Sequence, residues 1–231
     1  MSIGEEYKQR TKYSRQNKIL YSEKNGYDFI EDETVYDGGE KGIPWYKILL
    51  ILKYLDQYDY LVWMDADLLI MNNEIKLEDI ISKYSEYSII CGSCPRMINT
   101  GMLFVKNNDF SKQFLMDVFN NVYDPAADPH ERYYNWEQGS FINLWDKNHL
   151  DSQTHIKVTE PREMNSFWIN YHYGDFVLHG AGIRGGLLDY FLNRFMPDKM
   201  DIDTDETYNE RIRYLKEDFR IEHDEMAKNW K

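Results

Sequence analysis

Two carboxylates, Asp65 and Asp67, interrupt the apolar run YLVWMDADLLIM at residues 60 to 71. On an extended segment, side chains two apart point to the same side, so the pair reads as two acids presented together where a strand ends. Ligands of α/β sheets bind outside the carboxyl ends of strands. Unpaired buried carboxylates are costly. A hard divalent cation such as Mn²⁺ or Mg²⁺ relieves that cost, because it prefers oxygen ligands. It also bridges to an anionic diphosphate and neutralises charge on a leaving group. The competing structural reading is a pair of aspartates whose side chains brace the next turn.

The elements that must hold the pair follow from the flanking pattern. Residues 5 to 25 read as a helix closed by Asn25-Gly26, a C-cap signal, and residues 27 to 30 as a short strand. The acidic, glycine-containing residues 31 to 42 read as a loop. Pro44 suits a first helical turn, and the WYKILLILKYL that follows is apolar nearly all round, hence a buried helix. Residues 60 to 64 have the composition of a strand covered on both faces. Further strands are expected at 88 to 91, 102 to 105 and 177 to 179, and helices at 111 to 122 and 137 to 147. This alternation predicts an α/β fold with a mostly parallel sheet flanked by helices. Beyond Pro197, the spacing of Tyr208, Ile212, Leu215 and Phe219 predicts an amphipathic helix. The expected division is a catalytic domain over 1–197 and a helical extension over 198–231.

Composition narrows the function. A chain of 231 residues with 42% hydrophobic residues can bury one sizeable core. Its formal charge of −13 argues against a nucleic-acid binder, which needs clustered Lys and Arg. No apolar stretch approaches the roughly 18 residues of a membrane span, and the N-terminal residues are polar, without a signal-peptide core. The expected location is cytoplasmic as the chain stands, or the Golgi lumen if an N-terminal anchor has been removed. Two cysteines, Cys91 and Cys94, are too few for a disulfide framework or a zinc site. Aromatics at 16% fit both core filling and platforms for sugar-like ligands.

Two enzyme classes carry D-x-D after an apolar strand. Phosphatases of the haloacid dehalogenase type place it on the first strand, followed by Thr or Val and a turn. Here it begins at residue 65 and is followed by Leu68 and Leu69, which disfavours that class. The other class is the nucleotide-sugar glycosyltransferases of GT-A fold. PWYKILLILKYLDQYDYLVWMDADLLIMN resembles a segment of the family that holds yeast-type galactosyl- and mannosyltransferases and plant xyloglucan xylosyltransferases. NTGMLFVKN, NWEQGSFINLW and GDFVLHGAG resemble later blocks of that family, in the same order, within residues 40 to 185.

The resemblance implies a GT-A (Rossmann-like) fold and metal-dependent transfer from a UDP- or GDP-sugar to a glycan or saccharide hydroxyl, with retention of configuration. It implies Asp67 as a direct metal ligand, Asp65 on the donor ribose or the metal, and His179 as the third protein ligand. Lys47, Ala66, Asn99 and Gly101 would line the donor site. Gly182 would let backbone approach the diphosphate, and Arg184 would stabilise it as it leaves. Glu137 and Gln138 would lie nearest the anomeric carbon, as the catalytic pair. Trp136, Asn165, Trp168 and His172 would form the acceptor surface. One departure concerns the start of the chain. GT-A proteins begin with an apolar strand that holds the nucleobase, and MSIGEEYK resembles only the end of one. A non-catalytic sugar-binding or assembly domain on the same fold is the alternative, with the helix beyond Pro197 as its docking element.

Overall fold

The computed structural model describes residues 5–32, 41–94, 97–121, 136–168, 170–183 and 185–196, together with Glu206, Thr207, Asn209 and Arg213. The expected C-terminal amphipathic helix otherwise lies outside the described residues, as does Arg184.

The chain opens with α1 (Glu5–Asn25), closed where Gly26 takes φ +73°. A 3₁₀ turn at Ile43–Trp45, with Pro44 in its first turn, leads into α2 (Tyr46–Leu55). Then come β1 (Tyr60–Met64), β2 (Leu68–Ile70), α3 (Leu77–Lys83), β3 (Ile89–Cys94) and β4 (Met97–Lys106). The side chain of Asn108 accepts from the Ser111 amide and caps α4 (Asp109–Asn120). The rest comprises α5 (Trp136–Asp146), α6 (Ser152–His155), β5 (Ile156–Val158), β6 (Ser166–Phe167), β7 (Val177–His179) and α7 (Gly186–Arg194).

The strands form two sheets, β1-β4-β3-β5 and β2-β7-β6. The α/β class and mixed sheets agree with the sequence reading, but the balance of directions does not. Three of the five described pairings, β1–β4, β3–β4 and β2–β7, are antiparallel. Only two residues separate β3 from β4, and parallel neighbours need a crossover of about a dozen or more. Residues 27 to 30 form no strand either. Instead they border, with the open flank of β1, a cavity of about 480 Å³ that Ala66 also lines.

The main core packs α2, α4 and α5 against β3 and β4, around Ile51, Leu55, Leu103, Val105, Phe114 and Phe141. A second core lies between β2, β7 and α7. The short strand β2 depends on α1 for half of its partners. Among the described residues its one strand neighbour is β7. On its other side the side-chain amide of Asn17 donates to the Ile70 carbonyl (2.9 Å) and accepts from the Ile70 amide (2.6 Å), as a strand would. Ser14 Oγ donates to the Leu68 carbonyl at 2.7 Å. A polar stripe on a helix thus closes a sheet edge that would otherwise bury unpaired backbone groups.

Asn17→Ala removes both bonds at once from a buried edge. It is expected to destabilise the fold by about 1–3 kcal/mol, measured as a lowered urea midpoint with an unchanged slope.

Candidate active site

Asp65 and Asp67 come together through a turn rather than along an extended strand. After Met64 the chain reverses: the Leu68 amide donates to the Asp65 carbonyl at 3.2 Å, closing a four-residue turn over Asp65-Ala66-Asp67-Leu68. β1 therefore ends at the first carboxylate, and β2 starts just after the second. Leu68 pairs directly with His179 of β7, and the Gly180 amide donates to the Asp67 carbonyl at 2.9 Å. This pairing carries His179 to the turn from more than a hundred residues away. Asp65, Asp67 and His179 each offer one ligand atom, all within 4.8 Å of one another.

The imidazole is oriented by a chain of bonds that starts at backbone. The Gly101 amide donates to Asn99 Oδ1 (2.9 Å), which fixes that oxygen as an acceptor. Asn165 Nδ2 then donates to the same oxygen (2.9 Å), which turns Asn165 Oδ1 toward His179 Nδ1 at 2.8 Å. An amide oxygen only accepts, so Nδ1 carries a proton. In the neutral ring Nε2 is then a bare acceptor, and it faces Asp67 Oδ1 at 3.2 Å. Two acceptors at this distance need a cation, supplied by a second ring proton or by a metal. The arrangement, a histidine whose far nitrogen is held by an amide oxygen beside two carboxylates, fits a divalent metal.

Close approach of these side chains requires two glycines. A Cβ at Gly101 would lie 2.5 Å from His179 Cε1, 2.8 Å from Asn99 Oδ1 and 3.3 Å from Asp65 Oδ2. At Gly92 it would lie 2.6 Å from Asn165 Cβ. Gly92 also sits at the register shift between β3 and β4.

Buried charge surrounds the cluster. Asp65 Oδ1 accepts from Trp63 Nε1 (2.7 Å) and faces Lys47 Nζ at 3.3 Å. Lys47 also pairs with Glu137 Oε1 at 2.7 Å. Burial pulls the Lys47 ammonium toward a lower pKa, but Asp65 and Glu137 outweigh it and hold the group above its ordinary range. Burial likewise pushes the Asp67 carboxyl up, while His179, with a smaller share from Lys18, brings it below the usual carboxylate range. The Tyr7 phenol is raised by burial first, then by Asp67 and Asp65.

The expected site residues divide accordingly. Lys47, Asn99 and Gly101 adjoin the carboxylates. Gln138 Oε1 accepts from the Thr100 amide at 3.0 Å. Glu137, only 4% exposed, is turned into its ion pair with Lys47, and its Oε2 is buried without a hydrogen-bond partner among the described residues. Trp136, 55% exposed, shares a cavity of about 410 Å³ with Asp67, Gly182, Tyr7 and Arg10. Gly182 has φ +84°, which favours glycine there. The other acceptor candidates fall elsewhere. Asn165 is 1% exposed and committed to His179 and Asn99. Trp168 is buried in the core between β2 and α7. His172 sits in an exposed turn, where its amide donates to Asp175. Sequence reasoning missed Tyr7, Arg10, Trp63 and Gly92. The i, i+2 spacing of Trp63, on β1, and Asp65, just past its end, was a usable signal, and so was a glycine inside β3. Tyr7 and Arg10 left none, because only the fold brings α1 to the turn.

A D-x-D turn joined to a histidine strand, on mixed sheets flanked by helices, is the arrangement of a GT-A-type glycosyltransferase fold. A solved glycosyltransferase involved in glycosylation of the major capsid of PBCV-1 superposes with TM-score 0.64 at 14% identity, over 80% of this chain and 92% of that one, a likeness of fold. Residues 3–89 match the galactosyl transferase GMA12/MNN10 family. An alpha-1,2-galactosyltransferase of Schizosaccharomyces pombe is 24% identical over 77% of this chain and 56% of its own length. An uncharacterized alpha-1,2-galactosyltransferase of the same organism is 34% identical over 72% of this chain and 54% of its own. The chain is similar to the GMA12/MNN10 family over residues 3–89 and spans about half the length of these curated relatives.

Gly101→Ala forces a methyl group against His179 and Asn99. Overpacking of this kind costs about 1–3 kcal/mol. The expected outcome is a folded protein whose Mn²⁺ binding, measured by calorimetry, is weakened more than its stability is.

Proposed function

We propose that this chain transfers a sugar from a nucleoside-diphosphate-sugar donor to a hydroxyl of a glycan or saccharide acceptor, with a divalent cation held by Asp65, Asp67 and His179. The observation that carries the reading is His179 Nε2 facing Asp67 Oδ1 at 3.2 Å with its other nitrogen already committed. Kinship to galactosyltransferases supports sugar transfer. When bound, a divalent cation supplies Lewis-acid neutralisation of the diphosphate leaving group.

The protein's own groups do the remaining work. The two cavities adjoin the D-x-D turn, one through Ala66 and the other through Asp67. That arrangement supports a ligand with two unlike ends and an anionic middle. The first cavity, walled by Tyr21, Tyr27, Tyr54 and Trp63, suits a flat nucleobase. The second, with Trp136 and Gly182, suits the sugar and its acceptor. Lys47 and Glu137 keep Asp65 in place, and Gln138 holds the Asn99-Thr100 segment beneath the sugar side. Gln138 is the better placed of the expected catalytic pair, because Glu137 is closed off by Lys47. Retention of configuration is the outcome that kinship favours. Mn²⁺ is the favoured cation, because an imidazole beside two carboxylates suits it better than the more oxygen-demanding Mg²⁺.

The test is release of free nucleoside diphosphate from UDP- and GDP-sugars, with and without Mn²⁺. Activity is expected only with metal, and Asp67→Ala should abolish it. Asn165→Ala, which frees the imidazole, should lower metal affinity or activity by about 10–100-fold. Full turnover in Asp67→Ala, or turnover of no donor by the unsubstituted chain, defeats the proposal.

A further inference from the structure

Lys18 is one of two lysines buried near the D-x-D turn among the described residues, and the proposed function does not use it. It lies on α1, 8% exposed, directly beneath the turn. An ammonium has three donors, and all three are committed. They go to Ser14 Oγ, to the Asp65 carbonyl at 2.9 Å and to the Leu68 carbonyl at 2.9 Å. None of these acceptors is a carboxylate. Burial brings the ammonium down to about 8, against the pull of Asp67 and Asp65. With its donors saturated, Lys18 is not a free hand for a phosphate.

The acceptors define what it holds. Asp65 and Leu68 are the first and last residues of the turn. The first carries one carboxylate, and the last is the register partner of His179. We infer that Lys18 is a positioning residue of the metal centre: it pins both ends of the D-x-D turn, and so sets the distance between the two carboxylates and the imidazole. The inference rests on the proposed metal centre. It also opposes simple electrostatics, since a nearby cation by itself repels a metal. Removing the charge alone would tighten metal binding, whereas releasing the turn would weaken it.

Mn²⁺ binding to the full 231-residue chain, followed by the electron paramagnetic resonance signal of free Mn²⁺, separates the two. Lys18→Met is expected to bind about tenfold more weakly or worse, as for other outer residues of metal sites. Ser14→Ala, which removes one acceptor of Lys18 together with Ser14's own bond to the Leu68 carbonyl, should weaken binding in the same direction. Asn17 braces the same strand edge two residues further from the turn, and Asn17→Ala should lose stability while keeping its Mn²⁺ affinity within about twofold. Lys18→Met binding as tightly as the unsubstituted chain, or Asn17→Ala losing as much affinity as Lys18→Met, overturns the inference. If Lys18→Met does not fold, unchanged affinity in Ser14→Ala overturns it instead. Asp67→Ala is the separate control: if it retains Mn²⁺, the metal centre itself is wrong.

Discussion

Three carboxylates, the partly buried Asp65 and Asp67 and the buried Glu137, are gathered in one part of this protein, and the rest of the structure answers that concentration of charge. Isolated buried ions cost several kcal/mol each, on the order of a domain's net stability. Two buried ammoniums, Lys18 and Lys47, offset part of it. Lys47 does so by direct pairing with Asp65 and Glu137, and Lys18 by holding backbone carbonyls beneath the turn. Counted formally, three negative charges meet two positive ones, and one negative charge is left facing an imidazole. The protein has balanced its site almost, but not fully, without an added cation. A divalent ion would then leave a net positive centre suited to a diphosphate.

The geometry of that centre comes from parts far apart in the chain. The turn is supplied by the junction of β1 and β2, the histidine by β7, and its orientation by Asn165 and Asn99. Gly92 and Gly101 make room for the two side chains that must cross between sheets. Each contact is ordinary. Their order matters, because a single backbone N–H at Gly101 fixes Asn99, then Asn165, then the protonated nitrogen of His179. Such a relay fixes the orientation of the imidazole beside the two carboxylates through hydrogen bonds within the protein itself.

α1 has a double role. Toward the second sheet it acts as a missing strand, through Asn17 and Ser14 against Ile70 and Leu68. At its N-terminal end it brings Tyr7 and Arg10 to the cavity beside Asp67. Packing and site construction are therefore not separable in this helix. That accounts for its charged sequence, in which the buried positions besides Tyr21 are Thr11, Ser14, Asn17 and Lys18.

The sequence by itself determined the main elements, because local patterns encode them. The nearly continuous apolar run of α2, the apolar strands β1 and β7, the N-terminal Pro44 and the terminal Gly26 all act over a few residues. It also determined which residue types assemble at the site: two carboxylates after a buried strand, and a histidine before a glycine-rich segment. Strand direction was less legible, since an apolar run reads the same in either orientation, and only the two-residue link between β3 and β4 shows that they must reverse. The turn at Asp65–Leu68 was hidden because Leu68 to Ile70 continue an apolar pattern. Tertiary structure alone decided that Asn165 and Trp168 belong to the interior rather than to an acceptor surface, and that Glu137 is closed by Lys47. It alone decided that Lys18, one charged residue among many in α1, lies under the Asp65–Leu68 turn. Those outcomes depend on which faces meet after folding, and long-range contact leaves no trace in local spacing.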